Sequence, residues 1–591
     1  MGKEKKQQEL IAREHEKLGP ALWRVADALR GQMDADAFKD YILGFLFLRY
    51  LSDVFLTSAE ELLRNEEGRS AWQEWAHARI AQQGLAEQAC SFYAWWYPQR
   101  EDTMQKYFKE AMIGRLNYFL SPCHLWPTLH EVAQGRMGAG ELPGLQHDDG
   151  SPRTLLDLVT STLEEVQEGP EGKGTGRLNG VFGSLALDSP KLGSSLDDRN
   201  TMVSRIVRSL EAGLQGTDFS TSGDSLGDAY EYLIGEFASS SGRKAGEFYT
   251  PQDVSTVLSR IVTYAPEPSE APRKRSGLWV LDFACGSGSL LLNVYRHTKH
   301  HDGGNRISCL VGQERNFTTY NLARMNLVLH GVKLDNMRPE LGDSLAMKND
   351  YLRPEGGEPR RFDMVVANPP FSLKWEPESG LEHDPRFAQY GLPPRGAADW
   401  AFVLHGLYHL KDDGTMAVIV PHGALFREGV ERGIRCKLLE QNVLDAVIAL
   451  PDKLFYSTGI PVCVLVMRRC RREDYVRFID ASRGYVKVTK QNRLRAQDVE
   501  HIVTAWAQRE DADGKPLEEE GYSRNVPRKE LLEAEGNLSV GRYIGATNAV
   551  QPVDVNAVLR DIAQLEADRA RETAELYRIL ADLGFKMPPS V

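Results

Sequence analysis

The sequence predicts an α/β chain: a sheet of largely parallel strands with helices between them, preceded by a helical domain and followed by a helical tail. Three observations carry this. Apolar runs rich in branched side chains at 278–282, 307–312 and 362–367 alternate with helical segments through the middle of the chain, as buried parallel strands with crossover helices do. Upstream, Phe38, Tyr41, Ile42, Phe45, Leu48 and Leu51 recur at three- and four-residue steps. Downstream, Val558, Ile562, Leu565, Leu576, Ile579 and Leu583 mark one helical face, which Arg569 and Glu572 interrupt. The expected divisions are a helical domain over 1–170, the sheet domain over 171–475 and a C-terminal region over 476–591 that ends in a partner-docking helix.

A chain of 591 residues is long enough for two to four domains. Hydrophobic residues at 42% with 26% charged describe a globular protein with a large core. The net charge of -12 excludes a surface coated in basic residues. Phosphate contacts would therefore come from a local patch or a partner subunit. The most apolar short stretch, 41–48, is too short to span a bilayer and is followed by Arg49 and Asp53, so no membrane is expected. The N-terminal residues lack an apolar signal core. Seven cysteines without a C-x-x-C pair fit a reducing cytoplasm. His297, His300 and His301 lack a helical HExxH arrangement, and no metal is expected.

In the helical domain, the cluster Phe92, Tyr93, Trp95, Trp96 and Tyr97 reads as core packing, with a base-stacking platform as the alternative. The glycine-rich stretch 169–180 reads as a loop, and its Gly-Lys-Gly-Thr does not have P-loop spacing. A helix over 226–237 leads to Gly246-Glu247-Phe248-Tyr249-Thr250-Pro251 and a second helix over 254–262. The free amides and the Thr250 hydroxyl at that helix start suit a carboxylate ligand.

The strand at 278–282 ends in Asp282, placed to hold a cation such as an amino group. The loop through Ala284, Gly286, Ser287, Gly288 and Ser289 lets the backbone close on a ligand before the next helix. A dinucleotide fingerprint would need a third glycine, which is absent. Glu314, at the end of the next strand, suits two ribose hydroxyls, whether of NAD or of S-adenosylmethionine. Asp343, in Gly342-Asp343-Ser344, is placed to accept from an adenine amine.

Asn368-Pro369-Pro370-Phe371 follows the run at 362–367. Two prolines end both ladder pairing and helix, so the strand closes in a rigid turn at the carboxyl edge of the sheet, where ligands bind. The Asn368 side-chain carbonyl and the Pro369 backbone carbonyl are two acceptors suited to an exocyclic amine. They favour the pyramidal geometry that frees its lone pair. Phe371 is placed to stack on the base. An ordinary Asn-Pro turn is the competing reading. The irregular stretch 372–397 lies beside this turn, and further strands are expected at 415–421, 446–450 and 462–467. Arg468, Arg469, Arg471 and Arg472 read as a phosphate contact or a solvated strand end. Past 475 the pattern weakens.

Taken together the residues resemble the modification subunit of type I restriction-modification systems, an S-adenosylmethionine-dependent adenine-N6 DNA methyltransferase. The resemblance covers most of the chain. It rests on Leu226-Gly227-Asp228-Ala229-Tyr230-Glu231-Tyr232-Leu233-Ile234, Gly246-Glu247-Phe248-Tyr249-Thr250-Pro251, Asp282-Phe283-Ala284-Cys285-Gly286-Ser287-Gly288 and Asn368-Pro369-Pro370-Phe371. Ala398-Asp399-Trp400-Ala401-Phe402 and Leu454-Phe455-Tyr456-Ser457-Thr458-Gly459-Ile460-Pro461 complete it. Such enzymes usually have Pro where this chain has Phe283. The resemblance implies a Rossmann-like S-adenosylmethionine-dependent methyltransferase domain. It also implies double-stranded DNA as substrate, a separate DNA specificity subunit, a restriction (motor/nuclease) subunit and two copies per complex. The rivals are a protein glutamine or rRNA guanine methyltransferase, which also use Asn-Pro-Pro turns, and a non-catalytic scaffold subunit. A cytosine-C5 mechanism would need a Pro-Cys nucleophile near the cofactor, and the one Pro-Cys pair, Pro122-Cys123, lies in the helical region.

Overall fold

Helices build the first part of the chain. They are α1 (Ala35–Glu66), α2 (Phe92–Trp96), α3 (Asp102–Leu116), α4 (Trp126–Ala133), α5 (Leu155–Val166), α6 (Leu196–Leu214) and α7 (Gly223–Ser240). The computed structural model describes residues 19–20, 22–23, 35–66, 91–138, 140–169, 172, 175–214, 223–240, 250–264, 277–298, 305–349, 351–354, 357–455, 459–488, 491–510, 515–545 and 555–582. By length and composition alone, Lys39–Arg64 could cross a membrane. In the fold it is the core helix of this layer, with Phe45, Phe47 and Phe55 fully buried. Start signals are local: Thr154 and Asp157 form a capping box on α5, and Ser91 accepts from the Ala94 amide at α2.

The aromatic cluster is core. Phe92, Tyr93 and Trp96 are buried, the Tyr93 ring stacks on Phe108, and its hydroxyl donates to the Leu120 carbonyl. The helical core does not stop at residue 170, because α6 and α7 contribute Val203, Ile206, Leu210, Leu226, Tyr230 and Phe237 to it. The helix α6 lies in a stretch for which no element is expected above, although its apolar residues Val203, Ile206, Val207, Leu210 and Leu214 recur at helical spacing.

Among the described residues nine strands form one sheet: β1 (Leu278–Asp282), β2 (Ile307–Glu314), β3 (Met337–Leu341), β4 (Phe362–Ala367), β5 (Leu410–Pro421), β6 (Leu444–Ala449), β7 (Val462–Arg468), β8 (Tyr475–Asp480) and β9 (Ser523–Pro527). Their order is β9-β8-β6-β7-β5-β4-β1-β2-β3. From β3 to β5 all neighbours are parallel, whereas β7 runs antiparallel to both β5 and β6. The sheet therefore continues past residue 475, through β8 and β9. The reason the pattern weakens there is Arg477, which interrupts the apolar run of β8 yet is buried, donating to the Ala505 carbonyl, Asn525 and Ser523. Arg471 is neither a solvated end nor free for phosphate. Its buried side chain bonds Asp445, Asn442 and the Leu444 carbonyl.

The remaining helices are α8 (Gln252–Thr263), α9 (Ser289–His297), α10 (Phe317–Leu329), α11 (Asp399–Tyr408), α12 (Val430–Glu440), α13 (Ala496–Ala507) and α14 (Val555–Asp582). Alternation in β4 feeds two cores: Met364 and Val366 join Val254 and Leu258 of α8, while Val365 and Ala367 join Trp400 and Leu404 of α11. On α14, Leu565 and Leu576 are 68% and 53% exposed.

Gly406 lets α11 approach β1 and β5. A Cβ there would lie 2.5 Å from the Phe283 ring and 2.8 Å from the Met416 sulfur. Overpacking costs about 1–3 kcal/mol, more than the ~1 kcal/mol that Ala gains over Gly in a helix. Gly433, on α12, meets nothing within 4 Å. Gly406→Ala should lower the urea midpoint and Gly433→Ala should raise it, and the same sign for both would contradict this packing.

Candidate functional site

The strand order reverses at β1, which pairs on one side with β2 and on the other with β4. Asp282 is opposite Gly312 of β2 and Val366 of β4. Glu314 and Asn368 each lie two residues beyond those partners. All three strands are parallel, so Glu314, Asp282 and Asn368 reach the same carboxyl edge, on the same side as Gly286. This is the crevice where an open α/β sheet binds ligands.

After Asp282 the chain turns through Gly286 and Gly288, at φ 52° and 79°, left-handed values that favour glycine. The Gly286 amide donates to Glu314 Oε2 at 3.1 Å, and Glu314 Oε1 accepts from Asn316 at 2.7 Å. Asp282 is buried and accepts from the Ala284 amide at 3.0 Å. Burial, aided by the nearby Glu314 charge, pushes its carboxyl up to about 8. Burial also raises Glu314. Both acids lie where a cation or a hydroxyl donor would relieve the lost hydration. Ser287 and Ser289 turn inward: their hydroxyls meet at 3.2 Å, and the Ser287 carbonyl accepts from Asn326.

Beside this loop is a cavity of about 410 Å³ lined by Phe283, Ala284, Glu314, Asp343, Pro370 and Phe402. Asp343 accepts from the Leu345 amide and keeps its other oxygen 3.6 Å from Arg315. Leu373, Lys374 and Trp375, from the irregular stretch, form another wall. Phe283 stacks parallel to Phe402, with an interplanar angle of 7°.

A buried relay that sequence reasoning missed holds the cavity's far side. Arg386 donates to the Ser344 and Ala346 carbonyls and to His405 Nδ1. A guanidinium only donates, so Nδ1 accepts and His405 Nε2 donates to Gln313 Oε1 at 3.0 Å. Burial and the adjacent cations keep His405 neutral, its pKa well below the ordinary value. Gln313, which lines the cavity, is left with a buried amide nitrogen that meets no acceptor. A single glutamine ending a strand carries no signal of this in the sequence.

The Asn-Pro-Pro-Phe turn is held at both ends. Asn368 Nδ2 donates to Thr250 Oγ1 at 3.1 Å, while Asn368 Oδ1 is buried and has no partner. Beyond the turn Ser372 has φ 50°, and its amide donates to Asp399 Oδ1 at 2.8 Å. Arg427 donates to both Asp399 and Ser372. The Phe371 ring is edge-on to Phe455, with centroids 5.6 Å apart. Thr250, which the sequence points toward a carboxylate, thus faces Asn368, and Pro251 is the N-cap of α8. Glu247, Phe248, Tyr249 and Tyr456 to Thr458 lie outside the described residues, as do His300 and His301. Asp228, Glu231 and His330 have metal-ligand spacing, but Arg296 pairs with both carboxylates and supplies the positive charge there.

Residues 221–551 match the N-6 DNA Methylase family, and 18–139 match the HsdM N-terminal domain. The chain is 31% identical to the type I restriction enzyme MpnII methylase subunit of Mycoplasma pneumoniae, over 95% of each chain. It belongs to the type I restriction-modification methylase subunits. A second methylase subunit of this kind, MjaVIII of Methanocaldococcus jannaschii, is 35% identical over 93% of this chain and 82% of its own. The crystal structure of the type I methyltransferase subunit from Streptococcus thermophilus superposes with a TM-score of 0.71 at 33% identity, covering 90% of this chain and 99% of that one. Membership of this family makes the chain a methyltransferase subunit, with the class I fold behind a helical N-terminal region.

The raised Asp282 carboxyl has a measurable sign. A carboxyl whose folded value lies above its unfolded value favours folding less as pH rises between the two. Its contribution therefore falls from about pH 4 to about pH 8. Asp282→Asn should flatten this part of the stability profile, melting above the wild type at pH 8.5 with a smaller difference at pH 5. A wild type as stable relative to the variant at pH 8.5 as at pH 5 would remove the buried acid from the account.

Proposed function

We propose that this methylase subunit transfers a methyl group from S-adenosylmethionine to N6 of an adenine flipped out of double-stranded DNA. The observation that carries the reading is the buried, unpartnered Oδ1 of Asn368 on the edge shared by Asp282 and Glu314. A buried acceptor without a donor is costly, and an exocyclic amine supplies the missing donor.

The donor set fits the cofactor. Glu314 would hold the ribose hydroxyls, Asp343 the adenine amine and Asp282 the amino group. The backbone of Ala284, Gly286, Ser287, Gly288 and Ser289 would close over it, and Glu247, Phe248, Tyr249 and Pro251 would complete the cradle with the backbone of Thr250, whose hydroxyl is engaged by Asn368. When bound, S-adenosylmethionine supplies an electrophilic methyl on a sulfonium centre. Asn368 Oδ1 and the Pro369 carbonyl accept the two hydrogens of the target amine, free its lone pair and stabilise the charge that develops on nitrogen. Pro370 keeps the turn rigid, and Phe371 stacks on the base.

Sequence choice falls to a partner. A net charge of -12 does not suit a chain that tracks DNA alone. The exposed leucines of α14 suit docking on another subunit's helix. The complex we infer holds two copies of this chain in the cytoplasm, with a specificity subunit and a restriction subunit.

Labelled cofactor offered with duplex DNA, ribosomal RNA or release factor should label DNA adenine, and only with the specificity subunit present. Label on glutamine or guanine would favour the rival enzymes. Asn368→Ala should cost on the order of 10²-fold in methyl transfer, by the scale of one lost transition-state hydrogen bond, while cofactor binding persists. Near-normal turnover of that variant would refute the assignment. Calorimetry near pH 7 in buffers of different ionisation heat should show proton release on cofactor binding, because a cation beside Asp282 draws it to the carboxylate. Asp282→Asn should abolish that release.

A further inference from the structure

We propose that Thr250 is a positioning residue for Asn368: its hydroxyl oxygen holds the plane of the Asn368 amide so that Oδ1 meets the target amine. The inference rests on the methyl-transfer reading above. Asn368 can act only if its carbonyl end stays turned to the amine, yet the last torsion of an Asn side chain is soft. Two prolines fix the backbone of the turn but not that torsion. Thr250 Oγ1 supplies the restraint, accepting from Nδ2 at 3.1 Å across 118 residues of chain.

A hydroxyl can serve either end of an amide. Thr250 therefore sets the plane, and the amine, which brings two donors, selects the oxygen end. Removing the hydroxyl leaves Nδ2 without this acceptor in a half-buried site. Rotation toward water then takes Oδ1 off the amine.

Thr250 is itself held firmly. It precedes Pro251 at the start of α8, and the next residue, Gln252, is clamped at both ends of its amide. Gln252 Nε2 donates to Glu231 of α7 at 2.8 Å, and Oε1 accepts from Asn293 of α9 at 2.5 Å. Asn293 also donates to Ser255 Oγ, and Arg296 pairs with Glu231. Three helices thus converge on Gln252, two residues after the one that steadies Asn368.

The test uses the full chain with its specificity subunit and a duplex carrying the target site. Single-turnover methyl transfer is read beside calorimetric binding of S-adenosylhomocysteine. Thr250→Val should slow transfer about 10-fold, the scale of one hydrogen bond, and move the binding constant by less than about 2-fold. Thr250→Ala should act like Val, and Thr250→Ser should stay within about 2-fold of wild type. In an Asn368→Ala background, Thr250→Val should cost nothing further, since the two act as one unit.

A full rate in a folded Thr250→Val or Thr250→Ala protein overturns the inference. So does an equal loss in the Asn368→Ala background, or a loss in product binding that matches the loss in rate, which would make Thr250 a cofactor ligand. A wild type that methylates no adenine sinks the functional reading itself, whereas an active wild type with an unaffected Thr250→Val sinks only this inference.

Discussion

Everything at the site depends on the parallel pairing of β1 with β2 and β4. Side chains reverse face at every residue of a strand, so a slip of one residue on either side would turn Glu314 or Asn368 away from Asp282. The register is held by what each strand buries. Leu281 with Val311 and Val365 belongs to one core and Val280 with Leu310 and Met364 to the other, so a slip would expose neither set to water but would mismatch both packed layers. The site inherits its geometry from two cores rather than from the loops that carry the chemistry.

Given that geometry, three polar groups near the edge are left incomplete. Asp282 is an acid whose burial resists ionisation, Asn368 Oδ1 is an acceptor without a donor, and Gln313 Nε2 is a donor without an acceptor. Each would cost stability in an ordinary core. Their neighbours are fixed in place: Glu314 by two amides, Asp399 by Ser372 and Arg427, His405 by Arg386 and Gln313. The incomplete groups are thus rigidly held while remaining unsatisfied, which is the state a binding site needs before its ligand arrives.

What was legible in the sequence was what is local. The strand runs, the glycine loop after Asp282 and the Asn-Pro-Pro-Phe turn announce themselves because neighbouring residues carry the whole signal. The helix α6 was equally local and went unread. The rest was not legible because its partners are remote: Thr250 and Asn368 are 118 positions apart, and Gln313 and His405 are 92 apart. Buried charge was the other obstacle. Arg477 in β8 and Arg471 after β7 look like surface residues by type, and only tertiary packing, with carbonyls and an aspartate around them, turns them inward.

The helical layer is joined to the site through α10. That helix begins just after Glu314, with Asn316 as its N-cap, and its two faces serve different cores. Leu322, Met325 and Leu329 pack into the helical layer, while Ala323 and Leu327 pack toward the sheet. Arg324, buried between them, donates to the Asn179 and Arg177 carbonyls. Ala323 also lies 3.4 Å from where a Cβ on Gly288 would be, so α10 backs the glycine loop as well. A displacement of the helical layer cannot leave α10 in place without opening one of its two cores and stranding a buried guanidinium. Through α10 it would act on Glu314 and the loop, and through α7 and Gln252 on Thr250, so both halves of the site, the part facing the cofactor and the part gripping the amine, answer to the same helical layer.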